Sequence, residues 1–331
     1  MLGEHSALAI DLLADVFRAS RFDADDIARE REVVLEEIAQ IEDTPDDLVH
    51  DLFHQEYWRE HPLGSPVCGT RASVARFDRD ACLALLAARY RPDRLIVTAA
   101  GKVYHAALVD AIGARFGDLD GRAAAVDDCV PTARGCVAVH QRKLEQVQLV
   151  LGTRGVAVTD PARDAVAVLN AALGDSPSSR LFQEIRERRG RAYSIDSFVS
   201  SYRDTGYVGI AAGTRARWVR EVVDVIVMEL RRLRREGLPA DELARAKGKL
   251  KGTLLLALET SEQRMERLAL EEMYFGRAVS ADEIARRIDA VTNDDVVGAA
   301  ERLFVADGCA LVLLGDVGRH APGIDVFEAL G

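Results

Sequence analysis

Residues 77–103 read FDRDACLALLAARYRPDRLIVTAAGKV, and this stretch decides the fold that we expect. Residues 291–317 read VTNDDVVGAAERLFVADGCALVLLGDV and align with it from end to end without a gap. Tyr90 corresponds to the aromatic residue Phe304, and an apolar run and a glycine follow in both stretches. Self-similarity at a fixed offset is the sequence signature of a duplicated unit.

A second match supports the same duplication. ADDIARERE at 24–32 aligns with ADELARAKG at 240–248, at nearly the same offset as the first match. Two matches in the same order predict two similar domains, whereas a chance alignment of amphipathic helices is the alternative. The predicted fold class is α+β, with an antiparallel-rich sheet and flanking helices in each domain. The predicted boundaries are 1–120 for the first domain, 121–134 for a linker and 135–331 for the second domain.

The duplication also predicts an incomplete first domain. If the second copy begins near Pro131, the first copy would begin about 83 residues before Met1. The first copy then has no counterpart of the predicted strand CVAVHQ at 136–141. We therefore expect that the chain starts inside its first domain.

Composition excludes several classes of protein. Hydrophobic residues make up 48% and charged residues 29%, which is typical of a soluble globular protein. A net charge of −11 argues against a nucleic-acid or anionic-membrane partner. No apolar run approaches the roughly 18 residues of a membrane span, and the start lacks the basic region of a signal peptide. The five scattered cysteines form no C-x-x-C, so we expect reduced thiols and a cytoplasmic location.

Apolar periodicity predicts most of the elements. RLIVTAAG at 94–101 is predicted to be a buried strand. AYSIDSFVSSY and YVGIAAGT are predicted to form a hairpin around the turn RDTG at 203–206. A helix is predicted over 7–20. Its inward stripe would consist of Ile10, Leu13, Val16 and Phe17.

The stretch HDLFH offers a candidate metal pair. His50 and His54 stand at i and i+4 on a predicted helix, with the acid Asp51 between them, as in the H-E-x-x-H zinc helix. Asp51 is one methylene shorter than the usual glutamate base, and no third ligand is evident, although Glu56 and His61 lie near. We favour the alternative, two polar residues on a partly exposed helix.

Two carboxylates on a neighbouring helix are also candidates for metal ligands. EREVVLEEIAQIEDTPDD at 30–47 sets Glu30 and Glu37 about two turns apart on one face. Such carboxylates are metal ligands in some proteins and solvated charges in others. The aligned positions of the second copy are Ala246 and Thr253, so that copy has neither carboxylate.

The chain contains, in this order, IAREREVVLEEIAQIEDTPDDLVHDLF, HPLGSPVCGT, RYRPDRLIVTAAG and SSRLFQEIRERRGRAYSI followed by SSYRDTGYVGIAAGT. Together they resemble the insulinase/pitrilysin family of zinc peptidases, and within it the mitochondrial and bacterial processing peptidases. The likeness spans essentially the whole chain. It implies a pair of similar α+β domains, in agreement with the duplication, and zinc as the cofactor of the complete family site.

The resemblance also implies roles for particular residues. In this family an H-x-x-E-H motif supplies two histidine ligands and a glutamate base. Glu37 matches the third zinc ligand, and Glu30 matches an acid that supports the site from behind it. Arg186 and Tyr193 match a pair that contacts the substrate and stabilises the developing oxyanion. The alternative for this pair is a surface arginine and a half-buried strand tyrosine. The preceding loop LGDSPSSRLF departs from the more glycine-rich loop of the family.

H-x-x-E-H itself does not occur in this sequence. A lone Glu37 cannot hold zinc, because catalytic zinc sites use three protein ligands and an open position. We therefore expect a zinc metalloendopeptidase-family protein that is N-terminally truncated and inactive alone. A noncatalytic peptide-binding or scaffold subunit of an active peptidase is the alternative. The expected partners are a peptide or unfolded polypeptide and a related subunit in a homo- or hetero-oligomer.

Overall fold

The structure is a computed structural model that describes residues 2–124 and 129–331. Its contacts divide the chain into two compact units, each built from three separate segments. The predicted linker overlaps residues 125–128, which lie outside the described residues, and the predicted domain boundaries stay a prediction. The first unit combines Met1–Ala39, Cys68–Asp128 and Ala257–Ala278, and the second combines Gln40–Val67, Cys129–Leu256 and Val279–Gly331.

Helices make up most of the described chain, and one π-helix, Phe182–Arg188, stands among them. The strands are β1 Cys136–His140, β2 Val147–Arg154, β3 Ala192–Ser201, β4 Gly206–Thr214 and β5 Ala310–Leu314. The α-helices are α1 Ser6–Ala19, α2 Ala24–Asp43, α3 Pro45–Tyr57, α4 Arg71–Val74, α5 Arg79–Arg89, α6 His105–Phe116, α7 Arg163–Leu173, α8 Val219–Glu236, α9 Ala240–Ala257, α10 Ser261–Phe275, α11 Ala281–Ala290 and α12 Asn293–Leu303.

The sheet of the second unit has the strand order β1-β5-β2-β4-β3. β1 pairs with β5 in parallel, and the other three pairings are antiparallel, which confirms the predicted antiparallel-rich α+β class. The predicted hairpin is also confirmed, since β3 and β4 are joined by a tight turn. Tyr202 closes this turn by donating its N–H to the Thr205 carbonyl at 2.8 Å.

Apolar side chains fill both faces of this sheet. On one face the strand residue Leu149 packs in a cluster with Leu169 of α7 and Ile226 of α8, all fully buried. On the other face Phe53 of α3 packs in a cluster with Val312 of β5. The sheet is therefore the middle layer of three, as burial of both its faces requires.

A glycine allows α3 to approach the sheet closely. A Cβ atom on Gly152 of β2 would lie 2.1 Å from a ring atom of Phe53, so a larger residue has no room. Phe53, Tyr57 and Trp58 are fully buried beside it. Missing side-chain volume in a strand interior often marks such a close approach.

The first unit differs from its sequence prediction at 94–101. Pro92–Arg94 is a 3-10 turn, and no described strand pairs with the residues after it. Ile96 and Val97 are 41% and 44% exposed, so the predicted buried strand is wrong. Strand-favouring residues form a strand only where a neighbouring strand and an apolar layer receive them.

The predicted inward stripe of α1 is also largely wrong. Leu13 and Val16 are 64% and 66% exposed, so neither belongs to a buried stripe. α1 instead packs on α6 through Phe17, whose ring centroid lies 5.5 Å from that of Phe116. Among the described helices, this one included, none is long and apolar enough to cross a membrane.

Candidate functional site

The most developed polar site of the second unit lies where the π-helix leads into β3. Leu181 and Ile185 are fully buried and hold the helix on the core. Gly190 has φ +61°, a conformation that suits glycine, and turns the chain toward the strand. The Arg191 N–H donates to the Ile185 carbonyl at 2.9 Å, which fixes the turn against the helix.

Arg186 and Tyr193, the two residues predicted to contact the substrate, are brought together here. The Arg186 Cζ lies 5.6 Å from the Tyr193 ring centroid and 4.7 Å from that of Phe182. The Arg186 side chain is 41% exposed and Tyr193 is 77% exposed. A π-helix widens the backbone locally and is frequent at functional sites. The pair is thus open to a ligand and held by cation–π contacts.

β3 is the last strand in the order of the sheet, so no described strand pairs with its outer side. Its register with β4 shifts between Ala192 and Ser194, and Tyr193 is the extra residue. Such a bulge re-aims a side chain and interrupts pairing at a sheet edge. An edge strand presents unpaired N–H and C=O groups that can accept an added strand.

The loop before the π-helix is held by its own hydrogen bonds. The Ser179 hydroxyl donates to the Ser176 carbonyl at 2.5 Å. The side-chain amide of Gln183 donates to the Pro177 carbonyl at 2.7 Å. Turn-forming serines and a proline therefore fix this loop where the family that it resembles has glycines.

Glu30 and Glu37 lie on α2, and both are exposed. Glu30 lines a largely apolar cavity of about 660 Å³ in the first unit, next to Arg21 and Arg31. Arg31 donates to the Phe77 carbonyl at 2.6 Å, at the cavity wall. The lining also includes Asp15 and Asp26, so side chains of both charges surround this cavity.

The residues present do not fit zinc. Across residues 2–124 and 129–331, no group of three His, Cys, Asp or Glu side chains is placed to hold a metal ion. Glu37 therefore has no described partner with which to coordinate one, and the described residues support no metal-dependent step. Its predicted role as a zinc ligand, and that of Glu30 behind it, stay predictions.

His50 and His54 serve packing and hydrogen bonding in the second unit. The His54 Nε2 lies 2.8 Å from the Tyr207 hydroxyl, and the His50 ring packs 5.5 Å from that of Phe198. Burial lowers the pKa of both histidines, and the pKa of His54 falls further through repulsion by His50. Burial raises the pKa of Tyr207 to about 12, so its hydroxyl stays protonated.

An arginine cluster beside the site escaped the sequence prediction. The Arg191 Cζ lies 3.6 Å from the Trp218 ring centroid, and its Nε lies 2.9 Å from a Glu221 carboxylate oxygen. Glu221 also pairs with Arg189 at 3.7 Å. The only sequence signal was the density of arginine in RERRGR, which does not identify a partner on the far side of the β3–β4 hairpin.

Two family models match consecutive parts of the chain. The model described as "Insulinase (Peptidase family M16)" matches residues 2–71. The model described as "Peptidase M16 inactive domain" matches residues 76–250, which is more than half of the chain.

Curated relatives are similar over most of the chain. An uncharacterized zinc protease of Bacillus subtilis is 36% identical over 319 residues, which are 96% of this chain and 78% of that protein. An uncharacterized zinc protease of Streptomyces coelicolor is 40% identical over 88% of this chain and 66% of its own length.

Solved structures share the fold. A protease from Helicobacter pylori superposes with a TM-score of 0.86 at 18% identity, over 95% of this chain and 77% of that one. A peptidase M16 inactive domain from Pseudomonas fluorescens gives a TM-score of 0.84 at 22% identity, over 95% and 76%. At such low sequence identity these two structures support the fold alone.

Proposed function

The chain belongs to the insulinase family of zinc peptidases, M16, and from this premise we propose that it is a noncatalytic, peptide-binding member. An extended peptide or unfolded polypeptide adds as a further strand along β3. Arg186 and Tyr193 grip it at the start of that strand.

One observation carries this proposal: an exposed arginine–tyrosine pair stands at the beginning of a free sheet edge. Main-chain hydrogen bonds to β3 would give affinity for any extended segment. The Arg186 guanidinium and the Tyr193 hydroxyl are hydrogen-bond donors, which suits peptide carbonyl oxygens.

The noncatalytic part rests on the donor set of this chain. Peptide hydrolysis by this family needs zinc with three protein ligands, and the described residues offer Glu37 without companions. Peptide binding at β3 needs no zinc ligands, so it is the activity that the described residues can support by themselves.

A second candidate is a zinc endopeptidase, favoured by relatives of 36% and 40% identity that are named zinc proteases. In it Glu37 would be one zinc ligand and Glu30 would support it. We further propose a cytoplasmic protein that assembles with itself or with a related subunit, supported by five free thiols and the family relationship.

A binding assay tests the first proposal. A fluorescein-labelled ten-residue peptide of Gln, Thr and Val should bind the purified chain and raise its fluorescence anisotropy. Arg186→Ala and Tyr193→Ala should each weaken binding about tenfold, since Arg and Tyr are enriched among the few residues that carry most of the affinity of an interface. Arg231→Ala, an exposed arginine on α8, is the matched control and should bind as the parent does.

A cleavage assay separates the two candidates. The same peptide incubated with the chain and zinc should remain intact while it stays bound. Cleavage that stops when a chelator is added would overturn the noncatalytic proposal and favour the endopeptidase. Unchanged anisotropy with the parent chain would overturn peptide binding itself.

A further inference from the structure

Positive charge is concentrated around the start of β3. The chain carries a net charge of −11, yet residues 182–193 and 214–221 contain seven arginines against three glutamates. The glutamates are Glu184, Glu187 and Glu221. The arginines are Arg186, Arg188, Arg189, Arg191, Arg215, Arg217 and Arg220.

The fold brings these two stretches to one end of the sheet. Ala192 of β3 pairs with Thr214 of β4, and the Thr214 hydroxyl donates to the Arg191 carbonyl at 2.6 Å. Trp218 joins them, because the Arg191 and Arg217 guanidinium carbons lie 3.6 Å and 4.9 Å from its ring centroid. We call this group of seven arginines the basic end of β3.

The nearby acids neutralise only part of the basic end. Glu184 pairs with Arg188 and Arg189, Glu187 pairs with Arg186, and Glu221 pairs with Arg189 and Arg191. The three arginines after β4, Arg215, Arg217 and Arg220, are solvent-exposed. Within the described residues no carboxylate forms an ion pair with Arg215, Arg217 or Arg220.

Folding alone does not account for this arrangement. Exposed ion pairs add little to stability, and unpaired like charges at one place repel one another. Trp218 nevertheless holds two guanidinium groups side by side, at the end of the sheet where β3 begins. A cluster of like charge beside a binding edge raises the local concentration of an oppositely charged ligand.

We propose that β3 selects acidic peptide segments, whose carboxylates bind the exposed arginines of the basic end. This inference rests on the proposed peptide-binding function and adds the substrate class. The backbone of the segment pairs along β3, and its Glu or Asp side chains lie at the end occupied by Arg215 and Arg217. Arginine forks suit carboxylates because they can donate two parallel hydrogen bonds.

Three labelled ten-residue peptides test the preference. They share Thr and Val at alternate positions and carry Glu, Gln or Lys at the others. At 50 mM salt the Glu peptide should bind about tenfold more tightly than the Gln peptide, and the Lys peptide should bind most weakly. At 300 mM salt the advantage of the Glu peptide should shrink, because salt screens exposed charges.

A charge-reversed variant assigns the preference to named residues. R215E combined with R217E should remove the advantage of the Glu peptide and leave the Gln peptide within about twofold of the parent. R231E combined with R235E changes the net charge equally, at exposed arginines of α8, and should keep the order of the three peptides. Circular dichroism and the urea midpoint should match the parent for both variants.

The outcomes separate this inference from the proposed function. If all three peptides bind equally, the acidic preference is overturned while peptide binding stands. If none binds, the proposed function fails. A ten-nucleotide oligothymidine that binds as tightly as the Glu peptide and displaces it would show unselective binding of anions, which also overturns the inference.

Discussion

Two segments with the same sequence pattern adopt different structures: one is a buried strand, and the other is not a strand. β5 is a central strand whose five residues are all buried. The aligned residues 96–100 form no strand, and Ile96 and Val97 are 41% and 44% exposed. Both segments end at a glycine with positive φ, Gly101 at +120° and Gly315 at +145°. Both segments thus keep the glycine turn, whereas a strand forms only in the segment that has neighbouring strands to pair with.

The helices before these segments differ in the same way. α12 buries Val296, Ala300 and Leu303, whereas α5 buries none of its described residues. Phe304 is fully buried, and its counterpart Tyr90 is 50% exposed. Apolar periodicity therefore marks a face that is able to be buried, and the tertiary environment decides whether it is.

Aspartate substitutions at two aligned positions should give the largest difference in stability between the two segments. Leu311 is fully buried and aligns with Val97. Leu311→Asp should cost about 4 kcal/mol or more, because it places an unpaired charge in the core. Val97→Asp should change the free energy of unfolding by less than about 1 kcal/mol. Urea titrations followed by circular dichroism measure both, and equal losses would contradict the comparison.

Removing the aligned aromatic rings should have a smaller effect with the same sign. Phe304→Ala leaves a core cavity and should cost about 3–5 kcal/mol. Tyr90→Ala loses a partly exposed ring contact with Phe17, at 5.4 Å between centroids, and should cost about 1 kcal/mol. A Tyr90 variant as unstable as the Phe304 variant would mean that the first unit has a core as dense as that of the second.

The smallest expected effect is a pH dependence that arises in the second unit. Burial lowers the folded-state pKa of His50 and His54 below 6.5. The unfolded chain then binds more protons, so stability is full above pH 6.5 and falls as the pH drops below it. We expect a loss of about 1 kcal/mol between pH 7 and pH 5.5.

His54→Gln keeps a polar partner for Tyr207 and should reduce this slope. His105→Gln, at the start of α6 in the first unit, is the control and should leave it unchanged. Urea midpoints at the two pH values compare them. Parallel slopes in the parent and in His54→Gln would contradict the assignment.

The sequence predicted what local signals specify. Periodicity located α1 to within one residue at each end, and the turn residues located the β3–β4 hairpin. It failed at 94–101, because a strand depends on partners far away in the sequence. The exposure of Leu13 and Val16 was missed for the same reason: a helix pattern does not say what packs against it.

The resemblance to a family singled out Arg186 and Tyr193, and the structure places the Arg186 Cζ 5.6 Å from the Tyr193 ring centroid. Their role in contacting a substrate stays a prediction. The bond from His54 to Tyr207 joins residues that are 153 positions apart, so no local pattern reveals it. Trp218 likewise meets Arg191 only because β3 and β4 are neighbours in the sheet.

The docking of α3 has a consequence for synthesis on the ribosome. Its apolar face needs Ala310, Val312 and Leu314 of β5, and Tyr57 donates to the Gly308 carbonyl, 251 residues further along the chain. At about 5–20 residues per second, that surface is translated roughly 13–50 seconds after the helix. The part of the face around Phe53 and Trp58 that packs on β5 is therefore uncovered until the end of translation. The nascent chain should be a strong client for chaperones that shield aromatic side chains until the last strand arrives.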